Sequence, residues 1–440
     1  MFLKRLKTPF REDTMRNYDI CILGAGFAGL YCAIECAKKW PNASIVILEK
    51  YNYVGGRAIT FHKNIPGHGS FQWENGAGRI HSSHKWVVDL VDKYGLTKIP
   101  IEGGLEMRVP GKSDPIKVDF EKYIKTLNVA ALSKEVLLQN TLDSILTSIA
   151  GPNEARNLMN TYEYRSEVDT LRADRALEAL DGELGHGKGF FVLKEGFSYL
   201  VEKLQNEAEK LGVTILKKHS ATNLEKLESE GGSYKVFVKD HIPIKAGKVV
   251  VAIPRDAVAE LPCFKNLPIL QKVKMRPLVR MYAIFPKSEG GGAWFQDLKK
   301  FVCDLPIRYV IPVNPNTGVI MISYTDGPEA EYWIRMQKEK GDDWVQAEVM
   351  KQIRMVLSHL EIPDPFFFKI HPWFDGCSYW VPGSYDFLQE SLKSIKPLPQ
   401  KMPGVYMCNE SWAYAQCWVK CAIDQADLCF KKMVEDSEAQ

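Results

Sequence analysis

The stretch Gly24-Ala25-Gly26-Phe27-Ala28-Gly29 constrains this chain more than any other feature. It follows a short apolar run, Tyr18 to Leu23, and opens an apolar segment of helical character, Leu30 to Lys39. A second apolar run, Ser44 to Leu48, ends at Glu49, twenty residues past Gly29. The order reads as strand, glycine turn, helix and parallel strand, the opening of a Rossmann-type α/β domain. Each glycine has its own reason. Gly24 permits the tight turn, Gly26 lets a pyrophosphate approach the backbone, and Gly29 lets helix and strand pack closely. Phe27 and Ala28 lie where free helix N–H groups and the positive dipole end would meet phosphate. Glu49, with Lys50 beside it, is placed to accept ribose hydroxyls. A structural glycine turn with an incidental acid is the blander alternative, and four features in the right order argue against it.

This clamp suits NAD and FAD alike. Gly55-Gly56-Arg57 follows soon after Glu49 and narrows the choice. Two glycines let the backbone turn beside a pyrophosphate, and a guanidinium can pair with phosphate oxygens through two parallel bonds. Composition mainly excludes. At 440 residues the chain exceeds one simple core and suggests two or three domains. With 57 basic and 54 acidic residues the net charge is +3, so there is no electrostatic footprint for nucleic acid. No run of eighteen apolar residues occurs, so no transmembrane helix is expected. The basic start, Met1 to Lys7, has no apolar run after it; residues 1–16 read as a flexible leader, and a cytoplasmic location is expected. The ten cysteines lack paired metal spacings, so no metal site is expected; Cys32 and Cys36, four apart on a helix, read as apolar packing.

The rest of the pattern suggests a discontinuous domain. Residues 84–94 and 197–211 have helical spacing, and residues 118–185 look helical and polar-faced. Residues 213–216, 234–238, 248–253 and 404–408 read as strands. Residues 265–395 mix aromatic strands with one helix, Asp342 to Leu360, and a closing helix runs from Cys417 to Val434. The fold class expected is α/β: a Rossmann-type FAD-binding domain from 17–83, 188–262 and 398–436, a mostly helical cap over 84–187, and a mixed α+β substrate domain over 263–397.

Three further segments make the chain resemble the flavin-containing amine oxidases, that is, the monoamine, polyamine and L-amino-acid oxidases. The likeness is strong at both ends and weak from about 100 to 185. Glu74-Asn75-Gly76-Ala77-Gly78-Arg79-Ile80 looks like the family's loop beneath the flavin ring. Its arginine is more like that of L-amino-acid oxidases, where it grips the substrate carboxylate; a flavin oxygen, a backbone carbonyl or a structural acid are other partners for it. Glu410-Ser411-Trp412-Ala413-Tyr414-Ala415-Gln416-Cys417-Trp418-Val419 looks like the C-terminal flavin motif. The resemblance implies that Glu410 sits near the pyrophosphate and ribityl chain, that Trp418 flanks the substrate, and that Val419 opens a helix whose N–H points at the flavin. Ala221 falls on a cofactor-binding position. Tyr324 resembles the tyrosine that shares the carboxylate with Arg79; a core tyrosine is the alternative. Trp373-Phe374-Asp375-Gly376-Cys377-Ser378-Tyr379-Trp380 resembles the loop along the flavin, with Tyr379 and Trp380 as an aromatic wall or as core.

Two departures stand out. Arg280 takes the place of the lysine that usually holds a water near the flavin, and the two are not equivalent. Cys417 stands where the family has a glycine. Cys377 is a minor candidate for covalent attachment, but its spacing to Pro382-Gly383 is short, so non-covalent FAD is expected. The resemblance implies oxidation of a C–N bond by hydride transfer to flavin, imine hydrolysis, and reoxidation by dioxygen with release of hydrogen peroxide. Arg280 and Trp418 are the expected catalytic residues; Arg79, Tyr324, Tyr379 and Trp380 are the expected substrate contacts. An L-amino acid or small amine is the expected substrate. A polyamine or monoamine oxidase, and a flavin-binding scaffold that has lost catalysis, are the rival readings. A homodimer is compatible with all three.

Overall fold

The computed structural model describes residues 15–101, 104–116, 120–181, 189–228, 232–288 and 290–439. Nearly all of the expected leader, and the helical expectation over 118–119 and 182–185, lie outside them. The first strand, Arg16–Leu23, starts where the leader was expected to end.

Arg16–Leu23 sits inside a seven-stranded sheet. Its parallel neighbours are Ile45–Glu49 and Ile244–Val251, in a register that sets Leu23 beside both Leu48 and Val251. Thr214–Lys217 extends the sheet in parallel beyond Ile45–Glu49, and Val405–Met407 pairs in parallel with the end of Ile244–Val251. Ala221–Lys226 and Tyr234–Val238 add an antiparallel edge. The strands are continuous apolar runs because both faces are covered. Ile20, Ile22, Ile45 and Ile47 pack under the helices Phe27–Lys39, Phe197–Lys210 and Val419–Glu438, whereas Cys21, Leu23, Val46 and Leu48 join the core on the opposite face. The parallel strands thus end together at one edge, where α/β sheets bind ligands.

A second sheet has six strands in the order Phe367–Trp380, Val273–Ile284, Val319–Asp326, Tyr309–Asn314, Phe301–Val302 and Glu106–Met107. Strand alternation divides Val273–Ile284 between two environments. Val279, Met281 and Ala283 pack in the core that Ala330 and Trp333 of Gly327–Lys340 and Val345 and Ile353 of Asp342–Val356 complete. Leu278, Arg280 and Tyr282 face the cavity between the sheets. The helix Gly327–Lys340 was not expected from the sequence, because its mix of Tyr332, Trp333 and charges has no clean apolar stripe. The hairpin Thr60–Ile65 with Gly69–Glu74 was also missed. The helical expectation over 118–185 resolves into several short helices, interrupted for instance at Gly151-Pro152.

Among the described residues, no helix is long and apolar enough to cross a membrane. No group of three or more His, Cys, Asp or Glu is arranged to hold a metal ion there. Cys32 and Cys36 are buried in the core with Cys408 and Cys429, as apolar packing requires.

Candidate active site

One cavity of about 2150 Å³ runs from the C-terminal edge of the parallel sheet to the open face of the second sheet. At its sheet end lie Gly24, Gly26, Phe27, Ala28, Glu49, Lys50, Gly56, Arg57 and Ala221. Gly24 has φ +99°, a left-handed conformation that a side chain resists, and an added Cβ would lie 2.8 Å from the Ala252 carbonyl. Gly29 does not line the cavity. A Cβ there would meet the Gly24 carbonyl oxygen at 1.9 Å, so its work is helix–strand contact. A Cβ on Gly26 would meet nothing within 4 Å, while one on Gly56 would reach only the Gly26 Cα, at 3.6 Å. Two bare backbones therefore face each other with room between them. The helix Phe27–Lys39 starts at Gly26 without a side-chain cap, which leaves its first N–H groups free toward that room. Glu49 is buried at the rim, its oxygens accepting the N–H groups of Ala25 and Tyr51, both at 2.8 Å. Each oxygen keeps a further lone pair.

The middle of the cavity is held by one carboxylate. Glu410 accepts from Arg57 Nη2 at 2.8 Å and the Ser378 hydroxyl at 2.9 Å on one oxygen, and from the Cys417 N–H at 2.8 Å and Ser378 N–H at 3.4 Å on the other. Arg57 also donates to the Gly376 carbonyl at 2.9 Å. These two Arg57 donors join three distant chain segments, with Glu410 as the knot, and Arg57 lines the cavity. Cys417 has φ 71°, which explains why a glycine is the relaxed residue at this position. The closing helix Val419–Glu438 begins directly after Trp418 with no side-chain cap, and Val419 and Ala422 line the cavity.

At the far end Gly76, Ala77, Gly78 and Arg79 form one wall. The Arg79 guanidinium lies 4.5 Å from the Phe190 ring, 5.3 Å from Tyr164 and 5.4 Å from Trp418, and donates to the Tyr164 hydroxyl. Among the described residues it makes no ion pair. Trp418 stacks on Phe190 at 5.7 Å and meets the edge of His84 at 5.0 Å. Arg280 lines the opposite wall, donating to the Glu74 carbonyl at 3.2 Å, with its guanidinium 5.2 Å from the Tyr324 ring. It is half-buried and lines the cavity. A Cβ on Gly78 would lie 2.7 Å from Arg280, which shows how closely the loop packs on this cation. Tyr324 and Tyr379 line the cavity.

Trp380 does not, and the expectation that it binds substrate is corrected. Successive strand side chains point to opposite faces. Tyr379 faces the cavity, whereas Trp380 is fully buried beside Tyr385 and Phe387, its indole N–H donating to the Ala413 carbonyl at 3.0 Å.

Several cavity residues were given no role from the sequence. Burial pushes the Glu74 carboxyl up to about 7, against the pull of the Phe197 N–H, the Thr60 hydroxyl and Arg280. Burial and then neighbouring Asp326 push Glu167 up to about 8. Burial, with the nearby Arg79 charge, lowers Lys300. Burial, then Lys369 and Arg280, lowers His371 to about 3, and its neutral ring accepts from the Trp73 indole N–H at 3.0 Å. Lone acids, lysines and histidines between motifs are invisible in a single sequence, because only the tertiary path brings them to a wall.

The sequence profile described as flavin containing amine oxidoreductase matches residues 153–428, more than half of the chain. The chain belongs to the flavin-containing amine oxidoreductases. A profile described as an NAD(P)-binding Rossmann-like domain matches residues 22–94, which contain the glycine clamp. An uncharacterized protein, R188, of Acanthamoeba polyphaga mimivirus is 20% identical, over 93% of this chain and 92% of its own. Coproporphyrinogen III oxidase of Staphylococcus aureus (strain NCTC 8325 / PS 47) is 21% identical, over 54% of this chain and 61% of its own. Among solved structures, putrescine oxidase bound to putrescine superposes with a TM-score of 0.72 at 15% identity, covering 95% of this chain and 99% of that one. A proposed protoporphyrinogen oxidase from Exiguobacterium sp. 255-15 gives 0.71 at 15% identity, covering 96% and 99%. Such distant likeness establishes the shared fold.

Membership in the flavin-containing amine oxidoreductases implies a flavin, and this cavity fits one. The open space over Gly26, the uncapped helix starts at Phe27 and Val419, and the acid at the ribose position are the features a dinucleotide needs. Cys417 and Arg280 both line the cavity.

Proposed function

We propose that the protein binds FAD non-covalently and oxidises a small amine, with an L-amino acid as the substrate class. The observation that carries the substrate is Arg79: a permanent cation on the cavity wall, boxed by three aromatic rings, with no carboxylate in ion-pair contact among the described residues. A planar guanidinium in that setting suits a substrate carboxylate.

When bound, FAD supplies the two-electron oxidation of the C–N bond and passes the electrons on to dioxygen. The chain's residues supply position and exclusion. Gly24, Gly26, Phe27, Ala28 and Glu49 hold the adenosine diphosphate half, Arg57 and Glu410 fix the turn beside it, and the start of Val419–Glu438 faces the ring end with its positive dipole. Arg79 holds the carboxylate, with Tyr324 and Tyr379 on the adjoining walls. Trp418, braced by Phe190 and His84, keeps water from the reacting carbon. Arg280 places a fixed positive charge on the wall that the Glu74–Gly78 loop shares, where the family's lysine would orient water.

A second reading has its own support. The cavity is roomy, Lys300 adds a cation on its wall, and two of the similar proteins carry porphyrinogen oxidase names. A porphyrinogen would present several carboxylates to Arg79 and Lys300. The test is peroxide release by the purified yellow protein against amino acids, polyamines and porphyrinogens. Turnover of amino acids, with Arg79→Ala raising KM for them by at least tenfold while leaving uncharged amines unaffected, supports the first reading. Turnover confined to porphyrinogens establishes the second. Unchanged KM in Arg79→Ala refutes the carboxylate grip.

A further inference from the structure

Cys377 and Cys417 come from distant stretches, yet the fold brings them together on the cavity wall. Cys377 sits on the strand Phe367–Trp380, and Cys417 lies just before the closing helix. One oxygen of Glu410 accepts both the Ser378 N–H and the Cys417 N–H, which draws the two backbones to one point. Cys417 Sγ donates to the Ser378 carbonyl at 3.5 Å, which sets its sulfur against the residue that follows Cys377. Arg57 is anchored on the adjacent Gly376 carbonyl at 2.9 Å, so a guanidinium stands beside the pair. The other eight cysteines do not line this cavity. Cys417 is held at φ 71°, where a plain turn favours glycine and a side chain is strained. The chain keeps a thiol there at a conformational cost.

We propose that Cys377 and Cys417 are a cavity-wall dithiol that hydrogen peroxide converts to a disulfide. The proposal rests on the oxidase reading above, which releases peroxide into this cavity. Cys377, beside the Arg57 charge, attacks one peroxide oxygen; the O–O bond breaks and a sulfenic acid forms with loss of water. The Cys377 contact and then burial hold the Cys417 thiol well above its usual range, so it stays an S–H until the second step. Its sulfur then displaces the hydroxyl from Cys377, forming the S–S bond and releasing the second water. In sum, two thiols and one peroxide give one disulfide and two waters, and two electrons pass from sulfur to oxygen. The bond ties the Tyr379 strand to the segment that carries Trp418, and so couples the state of the cavity wall to product.

The test uses the flavin-loaded protein, reduced with dithiothreitol, desalted and treated with one equivalent of hydrogen peroxide. Remaining thiols are alkylated, and the digest is mapped by mass spectrometry. The expected result is loss of two alkylation sites, one peptide pair joined through 377 and 417, and reversal by dithiothreitol. Cys417→Gly, which relaxes the backbone at that φ, should leave the Cys377 peptide alkylated or sulfenylated and never joined. Full alkylation of both peptides, or a sulfinate on either without the cross-link, overturns the proposal. Added peroxide separates this from the oxidase reading. A cross-link in protein that no amine reduces leaves the dithiol standing and removes the oxidase; amine turnover with peroxide release but no cross-link does the reverse.

Discussion

Replacing Glu410 with alanine should unfasten the site without touching its cavity-filling side chains. The carboxylate is 5% exposed and takes Arg57 at 2.8 Å, the Ser378 hydroxyl at 2.9 Å and the Cys417 N–H at 2.8 Å. Breaking a buried ion pair by removing one partner costs about 3–5 kcal/mol, and a buried N–H left bare costs about 1–3 kcal/mol. The Arg57 side chain is one-quarter exposed, so water can reach part of the abandoned charge and the pair belongs at the low end of its range. A loss of about 4 kcal/mol is expected for Glu410→Ala. Glu410→Gln keeps an acceptor for the Cys417 N–H but turns an amide toward Arg57, so about 2 kcal/mol is expected. The assay is the urea midpoint followed by tryptophan fluorescence, on Glu410→Ala, Arg57→Met and the double variant. The cycle should return a coupling of about 2 kcal/mol, because Glu410→Ala costs less once no guanidinium is left behind. A single-variant loss below about 1 kcal/mol, or strictly additive variants, would refute the picture of Glu410 as the joint between early and late segments.

Gly26→Ala and Gly29→Ala should fail differently. The first meets no protein atom and should cost no more than about 1 kcal/mol in stability while lowering FAD retention at least tenfold; the second drives a methyl into the Gly24 carbonyl and should lose the folded domain itself, as circular dichroism and flavin absorbance would together show. Trp380→Ala should lower stability by about 3–5 kcal/mol, the cost of emptying a core site, whereas Tyr379→Phe should act on substrate KM; a Trp380 variant with native stability and altered KM would reverse the assignment. Stability should fall as pH rises from about 5 to 8. Burial holds Asp326 up at about 6, Glu74 at about 7 and Glu167 at about 8, so the folded chain keeps protons that the unfolded chain has released above about 4.5. The stabilisation is complete below the unfolded values and is lost through the folded ones. Asp326 alone is worth on the order of 3 kcal/mol, so Asp326→Asn should flatten the slope; denaturation midpoints that stay level or rise over this range would contradict it.

Much of the sheet end of the cavity was legible from local chemistry. A tight turn, a bare approach and a close helix contact each demand glycine at a set spacing, and an apolar strand on either side of Gly24–Gly29 fixes the context. Gly24, Gly26 and Gly29 accordingly show three distinct reasons for lacking a side chain. The resemblance at Gly76–Arg79 and at Glu410–Val419 likewise picked out stretches that meet at one cavity.

What the sequence determined by itself was therefore what short-range geometry enforces: turn, helix start, strand run, and the residue types a nucleotide requires. Only the tertiary structure decided which partner each charge would take and which face each aromatic would show. Arg57 goes to Glu410 because a segment more than three hundred residues later closes against it. Tyr379 and Trp380 part company because a strand sends neighbours to opposite sides, and the side that holds the cavity depends on the sheet's packing. Glu74, Glu167, Lys300, Cys377 and Cys417 acquire their environments the same way: burial and contact are properties of the assembled fold, and no window of sequence contains them.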